Sequence, residues 1–164
     1  MNELTERFRG VFTALVTPFK DGAVDYAAYD ALVERQIDAG IAGLVPVGTT
    51  GEAATLSDEE ADALIARTVR LAAGRALVMA GAGANDTLKT VDKVKRAEKA
   101  GADAVLIVTP YYNKPTQAGL VAHYGAAAEA TSLPVMLYSV PGRCCVEIAP
   151  ETCATLMAKH GNIV

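Results

Sequence analysis

Residues 87–110 read Thr-Leu-Lys-Thr-Val-Asp-Lys-Val-Lys-Arg-Ala-Glu-Lys-Ala-Gly-Ala-Asp-Ala-Val-Leu-Ile-Val-Thr-Pro, and this stretch decides the fold. Its first part, about Thr87 to Ala100, has the spacing of a helix, and Lys89, Lys93, Lys95, Arg96 and Lys99 are expected to form its solvated outer face. A glycine turn follows, then the run Ala104 to Pro110, apolar almost without interruption. Such a run is what a strand covered on both faces requires. The same step occurs earlier: Asp38-Ala-Gly-Ile-Ala-Gly-Leu-Val45 echoes Lys99-Ala-Gly-Ala-Asp-Ala-Val-Leu106, each a helix end, a Gly turn and the next strand.

The unit repeats along the chain. Further apolar runs, each expected to be a buried strand, lie at Val11 to Phe19, Gly43 to Gly48, Ala76 to Gly81 and Pro134 to Val140. Between them Tyr26, Tyr29, Leu32, Val33 and Ile37 mark a helix stopping at Gly40, and Ser57-Asp-Glu-Glu60 opens a second helix with a capping box. That helix continues through Ala61, Leu64, Ile65, Val69 and Ala72 to a stop at Gly74. Two more helices are expected over about Gln117 to Thr131 and after Pro150, with His123 and His160 in packing or surface roles. Alternating strands and helices produce a parallel sheet with helical crossovers. The total is five strand-helix units, with Asn162-Ile-Val164 as the first step of a sixth strand.

Length and composition narrow the function classes. The 164 residues are 51% hydrophobic and 21% charged, as in a globular domain. No stretch approaches the roughly 18 apolar residues of a membrane span, and Met1 to Arg9 alternates charges where a signal peptide needs an apolar segment. A soluble, cytoplasmic protein is expected. A net charge of −4 disfavours nucleic acid as a partner, so small molecules are the better class. Cys144, Cys145 and Cys153 form no C-x-x-C pair, and the two histidines lack ligand spacing; no metal site is expected, and the thiols are read as reduced, buried and apolar.

In a parallel sheet the loops that follow the strands gather at one edge, and three of them carry chemistry. Gly48-Thr-Thr-Gly-Glu52 offers backbone amides and hydroxyls that suit a carboxylate. Thr109-Pro-Tyr-Tyr-Asn-Lys-Pro115 presents two adjacent phenols, fit either for a site or for a subunit interface. Leu137-Tyr-Ser-Val-Pro-Gly-Arg143 places a phenol at a strand end and a guanidinium beyond it, for proton transfer and carboxylate binding. Gly81-Ala-Gly83 lacks a dinucleotide fingerprint, and no phosphate-binding loop motif occurs.

Together these motifs, with the first strand's Thr17-Pro18, resemble the dihydrodipicolinate synthase / N-acetylneuraminate lyase family from about Val11 to Val164. The resemblance implies a (β/α)8 TIM barrel, of which residues 1–164 form a single, incomplete domain. It implies a class I aldolase-type lyase of lysine and diaminopimelate biosynthesis, which condenses pyruvate, held as a Schiff base on a lysine, with L-aspartate 4-semialdehyde, without cofactor or metal. By the same resemblance Thr49 and Thr50 bind the pyruvate carboxylate, Thr49 links Tyr138 to Tyr112 in a proton relay, and Arg143 holds the second substrate's carboxylate. Tyr112 then reaches into a neighbouring subunit's site, implying a tight homodimer and a dimer of dimers, a homotetramer. Thr at 49 and Arg at 143 favour the synthase over N-acetylneuraminate lyase or a keto-sugar-acid aldolase.

Several positions depart from the family pattern. Cys144-Cys145 stand where many members have Thr-Gly, which restricts the backbone if that glycine uses a positive φ. Of the residues that bind inhibitory lysine, Asn85 and Tyr111 are retained, while Asp58, Ala61 and Lys89 replace the expected partners. Weak lysine inhibition is therefore expected. The Schiff-base lysine falls about three residues beyond Val164 by this resemblance, and none of the seven lysines present lies in the sixth strand. The chain is therefore expected to be the N-terminal part of a barrel, inactive and poorly folded alone. Two readings compete with it: a five-unit, flavodoxin-like protein that binds a small anion without catalysis, and a noncatalytic fragment that joins a partner chain.

Overall fold

The glycine-punctuated unit is built as its sequence dictates. In the computed structural model, which describes residues 3–164, helices α1 (Glu3–Glu6) and α2 (Tyr26–Asp38) surround strand β1 (Phe12–Ala14) and a hairpin of β2 (Phe19–Lys20) and β3 (Ala23–Val24). Then follow β4 (Gly43–Val45), α3 (Asp58–Ala72), β5 (Leu77–Gly81), α4 (Thr87–Lys99), β6 (Ala104–Val108), α5 (Gln117–Glu129), β7 (Val135–Tyr138), α6 (Pro141–Cys144) and α7 (Pro150–Lys159). The echoed segments match in backbone: α2 and α4 both end on a right-handed alanine, Ala39 or Ala100, followed by a left-handed glycine, Gly40 at φ +75° or Gly101 at φ +87°. Only glycine enters that region without a Cβ penalty. At α3 the capping box is complete, Ser57 Oγ accepting from the Glu60 amide and Glu60 Oε2 from the Ser57 amide.

The sheet has the order β1-β4-β5-β6-β7, every pair parallel. The order never reverses, so each crossover helix winds in one direction around the sheet, as in (β/α)-barrel units. A doubly wound, flavodoxin-like sheet must reverse at a switch point, so that reading is set aside. Ile163 adds the next step, bridging Val135 in parallel, with the Val135 amide donating to the Asn162 carbonyl at 2.8 Å. The Asn162 side-chain amide lies 3.0–3.2 Å from the carbonyls of Ala128, Thr131 and Leu133, tying this strand start to the end of α5.

Strand residues alternate between two apolar layers. Leu44, Val78, Ala80, Val105, Ile107 and Val135 pack outward among Tyr29, Val33, Leu64, Val94, Leu120, Tyr124 and Leu156. Val45, Met79 and Ala104 face inward with Phe8, Phe12, Leu106 and Met136. Two covered faces explain why the runs are continuously apolar.

The structure corrects four sequence-based expectations. The run Val11 to Phe19 is not one strand: β1 stops at Ala14, and beyond Thr17-Pro18 the chain folds into the hairpin through Asp21 and Gly22, both at positive φ (+53° and +80°). Asp-Gly is a strong turn signal that the apolar run obscures. The fifth apolar run is not fully buried, because three of the four β7 residues are half-exposed where β7 faces only a one-residue bridge. The basic face of α4 is not simply solvated: Arg96 Nη2 lies 3.0 Å and Lys93 Nζ 3.5 Å from Asp58 Oδ1 at the start of α3. Finally, the cysteines differ: Cys144 is buried and Cys153 half-buried, but Cys145 is exposed at φ +57°, ending α6 in the left-handed conformation.

Candidate active site

The candidate site lies at the carboxyl ends of the strands. There, a cavity of about 850 Å³ opens between the loops after β4, β5, β6 and β7. Gly48 and Thr49 line it from the first of these, Gly83 and Asn85 from the second, Tyr111 from the third, and Tyr138 and Arg143 from the last. Its outer wall is the start of α3 and the first turns of α4, through Asp58, Leu88, Lys89, Asp92 and Lys93.

The loop after β4 is shaped for an anion. Val47 (φ +56°) and Glu52 (φ +59°) bracket it in left-handed conformations, a costly geometry for a β-branched residue. Inside, the Gly51 and Ala53 amides donate to the Gly48 carbonyl and the Glu52 amide to the Thr49 carbonyl. The amides of Gly48, Thr49 and Thr50, and the hydroxyls of Thr49 and Thr50, have no hydrogen-bond partner among the described residues. Consecutive unpartnered amides form a concavity that favours a carboxylate. Neighbouring strands seat the loop closely: a Cβ on Gly81 would lie 2.0 Å from the Val47 carbonyl oxygen, and the Gly81 amide donates to the Pro46 carbonyl at 2.9 Å.

Tyr138 ends β7 half-buried, its carbonyl accepting from both the amide (2.9 Å) and the hydroxyl (3.1 Å) of buried Thr109. Tyr124 donates in turn to the Thr109 hydroxyl at 3.1 Å, and burial pushes the Tyr124 phenol well above its ordinary range. Tyr124 therefore stays a neutral donor. Arg143 is exposed in α6, a turn of helix set by Pro141 at its first position and closed by Cys145. The positive φ of Cys145 is the conformation that a glycine at this position would relieve. Burial raises the adjacent Cys144 thiol above its usual range, so it lines the cavity as a protonated, apolar group.

Thus Thr49, Tyr138, Arg143, Asn85 and Tyr111 come together around one cavity, whereas Thr50 and Tyr112 lie outside its lining. Tyr112 is 89% exposed at φ +70°, in a turn where the Asn113 amide donates to the Tyr111 carbonyl and the Asn113 side chain to the Asn85 carbonyl. No hydrogen bond joins the hydroxyls of Thr49, Tyr138 and Tyr112 within the described chain. Two features escaped the sequence reading. One is the Asp58, Asp92, Lys89 and Lys93 rim, in which the Arg96 hydrogen bond holds the Asp58 carboxyl below the usual range. The other is the buried threonine pair, Thr109 beneath Tyr138 and Thr17 beneath Gly51. Each threonine precedes a proline, Thr109 directly after β6 and Thr17 three residues beyond β1, the only signal the sequence offers. Among the described residues no group of three or more His, Cys, Asp or Glu side chains is placed to hold a metal, and no helix is long and apolar enough to cross a membrane.

The chain is similar to known proteins across nearly its whole length. It is 57% identical to the 4-hydroxy-tetrahydrodipicolinate synthase of Hyphomonas neptunium and 56% identical to that of Magnetococcus marinus, with 96% of this chain and 53% of each relative aligned. The crystal structure of the chloride-inhibited dihydrodipicolinate synthase from Acinetobacter baumannii, complexed with pyruvate, superposes with a TM-score of 0.91 at 50% identity, over 94% of this chain and 53% of that one. The chain spans about half the length of the curated relatives it matches. The one-directional parallel sheet, the cavity at its carboxyl edge and a family match over residues 7–164 agree, and the chain belongs to the dihydrodipicolinate synthetase family.

Proposed function

We propose that this chain supplies the N-terminal part of a 4-hydroxy-tetrahydrodipicolinate synthase barrel, a lyase that condenses pyruvate with L-aspartate 4-semialdehyde in lysine and diaminopimelate biosynthesis. The observation that carries the reading is the loop of free amides and hydroxyls at Gly48 to Thr50, whose Gly48 and Thr49 line one cavity with Tyr138 and Arg143. The pyruvate carboxylate occupies that loop through Thr49 and Thr50. An imine formed between pyruvate and a lysine amine withdraws electrons from the pyruvate methyl, so loss of a methyl proton yields an enamine nucleophile. Tyr138 is the acid-base group for these transfers, with Thr49 linking it to Tyr112. Arg143 holds the carboxylate of the aldehyde substrate with its planar fork.

Lys89 and Lys93 are the lysines of this chain that line the cavity, and both sit on its outer wall. The imine-forming lysine belongs instead to the strand that Asn162 to Val164 begins. The 89% exposure of Tyr112 supports a second subunit completing the relay, in a tight dimer and a dimer of dimers. Residues 1–164 are part of one barrel domain, working in the cytoplasm without metal or organic cofactor.

The test is a substrate comparison with the full-length enzyme: pyruvate plus L-aspartate 4-semialdehyde against N-acetylneuraminate and keto-sugar acids, with borohydride trapping of the pyruvate imine read by intact mass. Condensation of the first pair and a pyruvate adduct on a lysine are expected. Turnover of only the sugar acids, or no adduct, would overturn the assignment.

A further inference from the structure

We propose that Thr17 is a positioning residue for carboxylate binding, a brace that holds the Gly48 to Glu52 loop in its anion-accepting shape. The inference rests on the proposed use of that loop for pyruvate. Thr17 is 4% exposed, and its hydroxyl donates to the Gly51 carbonyl at 2.7 Å. The bond joins the first strand unit to the middle of a loop that belongs to the second. Gly51 is itself pressed onto the segment that follows β1: a Cβ there would lie 3.0 Å from the Leu15 carbonyl oxygen and 3.4 Å from the Thr17 hydroxyl.

The loop needs such a brace because its own geometry is unfavourable. Left-handed residues at Val47 and Glu52 bracket it, and such conformations persist only when the surroundings over-determine them. The amides of Gly48, Thr49 and Thr50 also have no acceptor among the described residues to order them. Within the loop the ordering bonds run between near neighbours, to the carbonyls of Gly48 and Thr49. Among the described residues, two side chains from outside the loop bond to it: the Thr55 hydroxyl donates to the Glu52 carbonyl at 3.0 Å from only three residues away, whereas the Thr17 hydroxyl reaches the Gly51 carbonyl from another strand unit. Removing it leaves the buried Gly51 carbonyl without that donor, so the loop relaxes and must be re-ordered when a carboxylate binds. That cost falls on binding of the carboxylate substrate and not on the chemical step.

The test uses the full-length enzyme with Thr17→Val, which keeps the shape and removes the hydroxyl, and Thr17→Ser, which keeps the hydroxyl. The expected result for Thr17→Val is a rise of about tenfold in the pyruvate KM and in pyruvate Kd by calorimetry. KM for the aldehyde substrate and kcat stay within about twofold, and Thr17→Ser restores the pyruvate KM. A merely structural role would lower kcat and both affinities together. The proposal is overturned if folded Thr17→Val binds pyruvate like wild type, or if Thr17→Ser shows the same loss as Thr17→Val. If Thr17→Val does not fold, the result turns on Thr17→Ser and on Thr17→Cys, which keeps only a weak donor: wild-type pyruvate affinity in Thr17→Cys overturns the brace. Wild-type enzyme that binds pyruvate but does not condense it with the aldehyde refutes the proposed reaction and leaves the brace to be judged by calorimetry. Wild-type enzyme that binds no pyruvate overturns both.

Discussion

Replacing Gly81 by alanine presses a single methyl group against the backbone of the carboxylate loop. Built on the observed backbone, the added Cβ lies 2.0 Å from the Val47 carbonyl oxygen, 2.6 Å from the Val47 carbonyl carbon and 3.0 Å from the Gly48 nitrogen. Ordinary contact begins near 3.4 Å, so the loop must retreat by more than an ångström. The obstacle is main chain, which no rotamer change can clear. Overpacking of this kind costs about 1–3 kcal/mol, and the rigid partner places Gly81→Ala near the upper end. A melting temperature lower by about 3–5 °C follows for the full-length enzyme, about twice as long as this chain. The effect on catalysis is larger, because misplacing a binding group by about 1 Å costs on the order of 100-fold. The assay is kcat/KM for pyruvate beside a thermal melt, with Gly161→Ala as the control, since a Cβ at Gly161 meets nothing within 4 Å among the described residues. A Gly81→Ala enzyme with wild-type kcat/KM for pyruvate, and a melt no lower than the control, would refute the argument that this glycine exists to seat the loop.

Tyr138→Phe should lower kcat by about 100-fold or more while leaving the melt unchanged, because the phenol oxygen has no hydrogen-bond partner among the described residues; a kcat within threefold of wild type would exclude it as the acid-base group. His123 titrates against the fold. It is 5% exposed, its Nδ1 pairs with the Thr87 hydroxyl at 2.9 Å and its Nε2 is buried without a partner. Burial lowers its pKa below the ordinary 6.5, an effect that Asp86 partly opposes. The unfolded chain therefore takes up the proton first, so stability is complete above about pH 6.5 and is lost as pH falls through the lower folded-state value. Urea midpoints measured from pH 7 to 5 should fall less steeply in His123→Gln than in wild type, and equal slopes would count against the assignment. Millimolar L-lysine should leave turnover nearly unchanged, since Lys89 and Lys93 line the outer wall and Asp58 is already paired with Arg96. Strong inhibition would contradict this.

The sequence was most informative where the forces are local. The Ser57/Glu60 capping box, the glycine stops at Gly40 and Gly101 and the proline start of α7 are settled by residues within a turn of each other. Those elements, and the alternation that implies a parallel sheet, were therefore legible. Strand limits were not, because an apolar run records burial and not pairing. Val11 to Phe19 is apolar but for Thr13 and Thr17, yet only Phe12–Ala14 joins the parallel sheet, and Phe19 pairs instead with Val24 in the hairpin. In the same way, the basic face of α4 shows its period, but nothing in its sequence says that Asp58 of α3 lies 3.0 Å from Arg96.

For the site, sequence alone determined the residue types and their place after successive strands, and through their combination the family. It could not determine which of them share a space. Thr49, Tyr138 and Arg143 meet across residues 49–143 only because five parallel strands wind in one direction and bring their carboxyl ends to one rim. The same winding carries Thr17 under Gly51, a contact between groups 34 residues apart. Contacts of this kind depend on the positions of whole strands, and those positions follow from the packing of both faces of the sheet, a property of the folded chain and not of any one segment.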